Sequence, residues 1–200
     1  MARRVSPVRL LLFTRFPEPG RAKTRLIPAL GPGGAAALHC RLTERTLETA
    51  LASGLAVEVR STGAPPQAFT EWLGTDVLIV DQGEGDLGAR LLRAAPPYPV
   101  LFIGADAPDL TAAHLVAAAT ALEGHDAVIG PAEDGGYWAL GLAQPCDALF
   151  ENMPWGTDGV LAETLVRLAA HGIAPFMLPC LADLDRPEDL ARWPALTALP

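Results

Sequence analysis

Short apolar runs alternate with amphipathic segments along almost the whole chain, and this alternation restricts the fold more than any other feature. The runs Val8–Thr14, Val77–Val80 and Val100–Gly104 are almost continuously apolar and have the length of strands. Strands that are apolar on both sides are buried on both faces, which is typical of a parallel sheet covered by helices. The sequence therefore predicts an α/β fold, a three-layer α/β/α sandwich around a mostly parallel central sheet.

The predicted elements follow from the apolar period, which is two residues in strands and 3.6 in helices. Strands are predicted at Val8–Thr14, Ala56–Ser61, Val77–Val80, Val100–Gly104, Ala127–Gly130, Tyr137–Leu142 and Ile173–Leu178. Helices are predicted at Ala35–Leu51, Gln67–Leu73 and Leu87–Ala95, from Thr111 to about Leu122, from a cap at Thr157 or Asp158 to Gly172, and from Pro187. We expect one domain spanning residues 1–200, with Pro194–Pro200 as a frayed tail.

The formal net charge of -8 argues against one large class of function. A broad nucleic-acid interface needs a basic stripe, so no nucleic-acid partner is expected.

Cys40, Cys146 and Cys180 lie far apart without a C-x-x-C pair, so neither a disulfide framework nor a zinc site is predicted. No apolar run reaches the ~18 residues of a membrane span, and we expect a cytoplasmic protein. The oligomeric state is left open.

A cluster of cations follows the first predicted strand of this acidic chain. It consists of Arg15, Arg21, Lys23 and Arg25, and Lys23 is the only lysine of the protein. Lysine carries a compact point charge, whereas arginine presents a planar fork. Any polyanion that the protein binds is therefore expected at this local basic site.

The segment Glu18–Leu26, which we call the basic loop, has the composition of a phosphate-binding loop. Pro19 stiffens the backbone, and Gly20 allows the backbone to approach a ligand closely. The G-x-x-x-x-G-K-[ST] spacing of a P-loop is absent. A solvated basic turn is the structural alternative, and phosphate binding is the preferred interpretation.

Carboxylates follow two of the later strands. Asp106 comes just after Val100–Gly104, where a carboxylate can hold Mg²⁺ against substrate phosphates. The nearby Asp109 is at least as well explained as a helix cap before Thr111. Asp183 and Asp185 follow the last predicted strand, and their alternate spacing points them opposite ways. One of the two is expected to be a metal ligand, while the other caps the helix that Pro187 opens.

Two further features are candidates for binding an acceptor. Glu133, Asp134, Gly135, Gly136 and Tyr137 form an acidic, glycine-containing segment that we call the acidic turn. It fits a tight turn pressed against a ligand and also a hairpin turn between two strands. Trp155 fits an aromatic wall against a sugar or base and equally a place in the core.

Five ordered motifs carry a resemblance to a known family. They are F-x-x-x-P-x-P-G-R-x-K-T-R-L from Phe13, G-x-D-x-P-D-L from Gly104, G-P-x-x-D-G-G-Y from Gly130, W-x-T-D-x-V-L-x-E-T from Trp155, and D-x-D-x-P-E-D-L from Asp183. The chain resembles a bacterial family of GT-A-fold glycosyltransferases in the nucleotide-diphospho-sugar transferase superfamily. It is also similar to 2-phospho-lactate guanylyltransferases.

The resemblance implies a role for each motif. Gly20, Arg21, Lys23, Thr24 and Arg25 would contact the nucleotide phosphates, and Lys23, Arg25 and Asp106 would act in catalysis. Asp106 would be the principal ligand of Mg²⁺ or Mn²⁺, and Asp185 the second. The acidic turn would line the acceptor pocket.

Three functions stay open at this point. The first is Mg²⁺-dependent glycosyl transfer from a nucleotide-diphospho-sugar to a small-molecule acceptor. The second is guanylyltransferase-like nucleotidyl transfer that releases pyrophosphate. The third, of another class, is nucleotide binding without turnover. The presence of both Lys23 and Asp106 favours the two transferase hypotheses. The resemblance to glycosyltransferases favours glycosyl transfer, whereas the Lys-Thr-Arg-Leu motif and the similarity to guanylyltransferases favour nucleotidyl transfer, and glycosyl transfer is slightly preferred.

Overall fold

The structure is a computed structural model that describes residues 7–197. Its strands are β1 (Arg9–Arg15), β2 (Ala56–Thr62), β3 (Leu78–Asp81), β4 (Val100–Ile103), β5 (Ala127–Pro131), β6 (Tyr137–Leu142) and β7 (Phe176–Met177). Its α-helices are α1 (Ile27–Ala52), α2 (Pro66–Leu73), α3 (Leu87–Ala94), α4 (Ala112–Ala121), α5 (Val160–Ala170) and α6 (Pro194–Thr197). Short 3₁₀ helices lie at Thr24–Leu26, Asp147–Leu149 and Pro187–Arg192.

The strands form one seven-stranded sheet in the order β3-β2-β1-β4-β6-β5-β7. β1 lies in the middle and pairs in parallel with β2 and β4, and the pairs β2–β3 and β5–β7 are parallel as well. Only β6 runs antiparallel to its neighbours among the described strands, because a tight turn joins it to β5. The prediction of a mostly parallel sheet is confirmed.

Helices cover both faces of this sheet, as the apolar strands predict. Successive residues of β1 point to opposite faces: Leu10 and Leu12 pack in a cluster with Leu47 of α1, while Leu11 packs in another with Leu168 of α5. All three β1 leucines are fully buried. Burial of one such side chain contributes about 1.5–3 kcal/mol to the free energy of unfolding. The three-layer α/β/α architecture is therefore confirmed.

Several predicted boundaries differ from the observed ones for local reasons. α1 begins at Ile27 instead of Ala35, with a kink at Gly31, whose φ of +70° lies outside the helical region just before Pro32. β7 contains only Phe176 and Met177, because Pro175 and Pro179 flank it and proline donates no hydrogen bond to a sheet.

Two predictions about helix ends were wrong. Neither Thr157 nor Asp158 caps α5, since its cap is Gly159 without a side-chain hydrogen bond. The residues Pro194–Thr197 form a helical turn instead of a frayed tail, and the Arg41 guanidinium donates a hydrogen bond to the Leu196 carbonyl. The remaining residues of the predicted tail, 198–200, lie outside the described part of the chain.

Candidate active site

The basic loop connects β1 to α1 at the carboxyl edge of the sheet. Its first part is a turn in which the amides of Arg21 and Ala22 both donate to the carbonyl of Glu18. Ala22 and Leu26 are fully buried and anchor the loop. Lys23 between them has φ +47° and ψ +47°, the left-handed region that non-glycine residues rarely adopt. The backbone therefore holds Lys23 in one defined orientation.

That orientation places the Lys23 ammonium among three oxygen atoms. Its Nζ lies 2.6 Å from Asp106 Oδ1 and 3.6 Å from Asp185 Oδ1, and it donates a hydrogen bond to the Leu184 carbonyl at 2.5 Å. The side chain is only 3% exposed, whereas the Asp106 side chain is 53% exposed to the open space in front of it. Lysine and the two predicted metal ligands thus form one cluster.

Arg25 completes the cluster from the solvent side. Its Nη1 lies 2.6 Å from Asp185 Oδ2, so Asp185 accepts from one guanidinium and faces one ammonium. Asp185 does not cap the following helix, contrary to one of the sequence alternatives. The Asp189 carboxylate accepts from the amides of Asp185 and Arg186, at 3.0 and 2.7 Å. Asp185 is therefore free to point towards the basic loop.

Backbone pairing brings the distant carboxylates together. The Leu184 amide donates to the Asp106 carbonyl at 2.8 Å, and Leu181 forms a β-bridge with Ala132. The segment after β7 thus runs beside the loops that follow β4 and β5. Since parallel strands end at one edge, their loops converge there.

Two adjoining cavities open at this edge. The first has a volume of about 540 Å³. Its lining includes Arg21, Lys23, Thr24, Arg25, Asp106 and Asp185, and also Phe13, Thr14, His39, Thr62, Gln82 and Leu91. The second has about 310 Å³ and is lined by Asp134, Gly136, Thr157 and Asp183. Arg25, Asp106, Tyr137, Trp155 and Asp185 line both. Gly20 lines neither cavity; its φ of +82° forms the turn before the cations.

Two polar residues that line the first cavity, Gln82 and His39, were not predicted from the sequence. Gln82 is buried and donates hydrogen bonds to the carbonyls of Thr14 and Arg60. It follows β3 directly, so the strand-end rule that found Asp106 also applies to it. His39 is buried in the middle of α1, where its Nε2 lies 3.3 Å from Thr14 Oγ1 and 3.0 Å from the Arg15 carbonyl oxygen. No sequence pattern distinguishes it.

Burial and neighbouring charges shift the pKa of two groups in the first cavity. Burial lowers the pKa of His39 below its ordinary value, against the opposing effect of the Asp106 carboxylate, so the imidazole is neutral at pH 7. Partial removal from bulk water at the base of the cavity raises the pKa of Asp106, but the Lys23 ammonium lowers it by more, so the net shift is downward. Asp106 is therefore a carboxylate at neutral pH.

The acidic turn places its residues unequally. Asp134, Gly136 and Tyr137 line the second cavity. Glu133 does not, because its carboxylate pairs with Arg192 at 2.6 Å. Gly135 does not line it either: its φ is +87°, and a Cβ there would lie 2.1 Å from the Asp158 carbonyl oxygen. The segment is therefore a hairpin turn, and three of its residues line a cavity, while binding of a ligand there stays a prediction.

Two aromatic side chains beside the cavities hold buried polar atoms. Tyr137 Oη and Trp155 Nε1 are shielded from solvent and make no hydrogen bond of normal geometry among the described residues, although the Thr164 side chain is near enough to Tyr137 to oppose the effect of burial on its pKa. Both rings also pack against the apolar cluster around Leu11. Burial raises the pKa of Tyr137 well above its ordinary value. Trp155 thus forms part of a cavity wall and part of the core.

Asp183 lines the second cavity together with Asp134. Burial, followed by repulsion from the Asp134 carboxylate, raises the pKa of Asp183 to about 6. Among residues 7–197, neither Asp134 nor Asp183 has a cationic partner within ion-pair distance. The second cavity therefore carries uncompensated negative charge.

Asp106 and Asp185 have the chemistry to hold a divalent cation. Carboxylate oxygens suit Mg²⁺ and Mn²⁺, and both side chains already approach one cation, the Lys23 ammonium. Within the described part of the chain, no group of three or more His, Cys, Asp or Glu side chains is arranged to hold a metal ion. A divalent cation here would take its remaining ligands from water and substrate, as Mg²⁺ commonly does.

Solved structures of transferases share this fold. A protein from Desulfovibrio desulfuricans G20, provisionally named a nucleotide-diphospho-sugar transferase, is 26% identical, with a TM-score of 0.85 over 95% of this chain and 96% of that chain. A nucleotidyl transferase from Methanothermobacter is 18% identical, with a TM-score of 0.62 over 96% and 98%. These likenesses confirm the predicted fold and the resemblance to the nucleotide-diphospho-sugar transferase superfamily.

A third relative in structure was solved with ligands. It is the glucosyl-3-phosphoglycerate synthase of Mycobacterium tuberculosis in complex with Mn²⁺, uridine diphosphate and glucosyl-3-phosphoglycerate. It is 14% identical, with a TM-score of 0.57 over 98% of this chain and 77% of that chain, and this likeness concerns the fold alone. No helix in residues 7–197 combines the length and apolar character needed to cross a membrane.

Sequence comparison identifies the family. No curated protein matches the chain. The family model described as uncharacterized protein conserved in bacteria, DUF2064, matches residues 46–157, more than half of the chain, from within α1 to just after Trp155. The chain therefore belongs to this bacterial family, DUF2064.

Proposed function

We propose that the protein is a divalent-metal-dependent transferase that uses an activated nucleotide as donor. The observation that carries the proposal is the cluster of Lys23, Arg25, Asp106 and Asp185, which lies at the carboxyl edge of the sheet beside a cavity of about 540 Å³. Cavities of this size commonly hold small-molecule ligands. The fold shared with glycosyl and nucleotidyl transferases supports the same assignment.

The lining of the first cavity offers both polar and apolar groups for a nucleotide. Arg21, Lys23, Thr24 and Arg25 supply donors for phosphate oxygens. Phe13 and Leu91 offer apolar surface for a base, with Gln82 as a polar group near them. In this arrangement the diphosphate lies against the basic loop while the nucleoside extends towards the ends of β1 and β3.

Mg²⁺ or Mn²⁺ would be held by Asp106 and Asp185, and it would supply positive charge next to the donor phosphates. Asp185 is preferred to Asp183 as the second ligand because it shares a cation with Asp106. Lys23 and Arg25 stabilise the negative charge that develops on the leaving group. Groups fixed in advance for such charge are among the strongest contributors to catalysis.

The second cavity is the proposed acceptor side. Asp134, Gly136, Tyr137 and Trp155 line it, and the space joins the first cavity at Arg25 and Asp106. The uncompensated carboxylates of Asp134 and Asp183 disfavour an acceptor that carries phosphate or carboxylate groups. They can accept hydrogen bonds from hydroxyl groups, and Trp155 offers a surface for a sugar ring. We therefore prefer glycosyl transfer to a hydroxyl-bearing acceptor.

Nucleotidyl transfer is the second candidate. The basic loop presents Arg21, Lys23 and Arg25 to the first cavity, and three cations suit a triphosphate as well as a diphosphate. In that reaction the acceptor attacks the α-phosphate and pyrophosphate leaves. Nucleotide binding without turnover is the third candidate, but it gives no reason for two carboxylates beside the phosphate loop.

The proposal is tested by thermal unfolding against a panel of nucleotides and nucleotide-sugars, each with and without Mg²⁺ and Mn²⁺. A ligand at a hundred times its Kd stabilises the folded protein by about 2.7 kcal/mol. We expect stabilisation by at least one nucleotide-sugar in the presence of metal. Release of the nucleoside diphosphate from that donor then supports glycosyl transfer, whereas release of pyrophosphate from a triphosphate supports nucleotidyl transfer. No stabilisation by any compound would contradict the proposal.

A further inference from the structure

The Lys23 ammonium already stands where the two proposed metal ligands meet. An ammonium group has three N–H donors, and three oxygen atoms surround this one: Asp106 Oδ1, the Leu184 carbonyl and, at ion-pair distance, Asp185 Oδ1. The charge of each carboxylate is thereby offset within the protein. The environment resembles the coordination of a cation by oxygen atoms.

The backbone shows that this position is built and not a chance contact of a flexible side chain. A left-handed φ at a non-glycine residue is strained, and such strain persists only where the surroundings fix it. Here the Leu26 amide donates to the Lys23 carbonyl at 2.9 Å, and the buried Ala22 and Leu26 hold the loop on both sides. The side chain is 3% exposed.

From this geometry we propose that Lys23 is an internal counterion that competes with the divalent cation for Asp106 and Asp185. The inference rests on the proposed function of the site. A metal ion alone must displace the ammonium or bind beside it, against like-charge repulsion at a distance of a few ångströms. Nucleotide phosphates next to the basic loop give Lys23 a new partner. Metal and nucleotide therefore bind together, and neither binds strongly alone.

This coupling is reciprocal. If the nucleotide raises the affinity for metal by some factor, the metal raises the affinity for nucleotide by the same factor. Removal of the lysine charge is expected to weaken the coupling, because the carboxylates are then open to metal in the absence of nucleotide. Lys23 is thus a positioning residue for the order of binding, in addition to its proposed contact with phosphate.

The test measures Mn²⁺ binding by electron paramagnetic resonance, which does not depend on activity. Wild-type protein without nucleotide is expected to bind Mn²⁺ weakly, and Lys23→Met about tenfold or more tightly. Arg21→Gln is the matched control, since it removes a charge from the same loop but Arg21 pairs only with Glu18 among the described residues. Its affinity for Mn²⁺ is expected to equal that of the wild type.

A second measurement uses the wild-type protein and covers the case in which Lys23→Met does not fold. Because Lys23 is the only lysine, lysine labelled with ¹³C at the ε-carbon gives a single side-chain resonance in an NMR spectrum. That resonance is expected to stay in place when Mg²⁺ is added alone and to shift when Mg²⁺ is added with a stabilising nucleotide.

The outcomes separate this inference from the proposed function. Tight binding of Mn²⁺ to the free wild-type protein, equal to that of Lys23→Met, would overturn the inference even if nucleotides stabilise the protein. A Lys23 resonance that shifts with Mg²⁺ alone to the same extent would do so too. Absence of nucleotide binding under all conditions would instead contradict the function on which the inference rests.

Discussion

The two cavities at the carboxyl edge of the sheet differ in how their charges are balanced. In the first, Lys23 and Arg25 each lie 2.6 Å from a carboxylate, so cations and anions offset one another. In the second, Asp134 and Asp183 face each other without a cation within ion-pair distance among the described residues. Under the proposed function, the first cavity would take ligands that bring both phosphate and metal, while the second would take an acceptor without negative charge.

The largest expected effect is on turnover, and it concerns the first cavity, in which the charges offset one another. Asp106→Asn removes the carboxylate that faces both Lys23 and the proposed metal position. Metal-bound charge neutralisation is worth several kcal/mol, so we expect kcat/KM to fall about a thousandfold for any donor that the wild type accepts. Steady-state kinetics at saturating metal measures the change.

Asp109→Asn is the control for that substitution. Asp109 lies in the same loop, but its carboxylate accepts from the Trp193 indole and does not line either cavity. Its activity is expected to stay near that of the wild type. Unchanged turnover in Asp106→Asn would show that the reaction does not depend on this carboxylate.

The next largest effect is on stability, and it compares Gly135 of the acidic turn with Gly20 of the basic loop. Gly135 and Gly20 both have a left-handed φ, but a Cβ at Gly135 would meet the Asp158 carbonyl oxygen at 2.1 Å, whereas nothing lies within 4 Å of one at Gly20. We expect Gly135→Ala to lower the free energy of unfolding by about 2–4 kcal/mol, since backbone strain and a backbone clash add. Gly20→Ala should lose only about 1 kcal/mol.

Urea denaturation of both variants measures this difference. Equal losses would show that the acidic turn can move away from α5 without cost. In that case the second cavity would be adjustable and not a fixed shape.

A smaller effect on stability depends on pH and concerns the second cavity, whose carboxylates have no cationic partner within ion-pair distance among the described residues. The pKa of Asp183 is raised from 3.8 to about 6, so the folded state favours its protonated form. The contribution of this group to the free energy of unfolding is fully present below pH 4 and is lost as the pH rises through 6. Asp183→Asn should therefore stabilise the protein by about 1–2 kcal/mol at pH 7.5, after allowance for solvent screening, and not at pH 4.

Thermal unfolding in the presence of a chelator checks the pH dependence. Asp76→Asn, at an exposed position, makes the same change in charge and should shift stability by less than about 0.5 kcal/mol at either pH. A gain for Asp183→Asn that does not change between pH 4 and pH 7.5 would contradict the raised pKa that burial and the Asp134 carboxylate give Asp183.

Sequence patterns predicted the sheet because burial on both faces leaves nearly continuous apolar runs in the strands. The strand runs of β1 and β4 are apolar whichever way their side chains point, so fold class and layers follow from local sequence. A second rule, that ligands bind at the carboxyl ends of parallel strands, led to Asp106 and the basic loop. The structure brings Lys23, Arg25, Asp106 and Asp185 together, while their roles in phosphate and metal binding stay predictions.

The choice of partners could not be predicted, because it depends on groups that are far apart in sequence. Glu133 pairs with Arg192, which removes it from the cavity that its motif suggested. Asp189, not Asp185, accepts the amide hydrogen bonds at the start of the last 3₁₀ helix. His39 reaches the first cavity only because α1 packs beside β1, and a single buried histidine on a helix leaves no pattern.

The smallest expected effect concerns the buried hydroxyl group of Tyr137, a residue that lines both cavities. Tyr137 Oη is buried without a hydrogen bond of normal geometry among the described residues, with the Thr164 side chain as a weakly placed neighbour, and a buried hydroxyl in that state destabilises the folded protein. Tyr137→Phe should therefore raise the free energy of unfolding by about 0.5–1 kcal/mol. Tyr98→Phe, which changes the only other tyrosine, should have no comparable effect. If Tyr137→Phe instead lost more than about 1 kcal/mol, a bound water would have to satisfy the hydroxyl, and the wall between the two cavities would be hydrated.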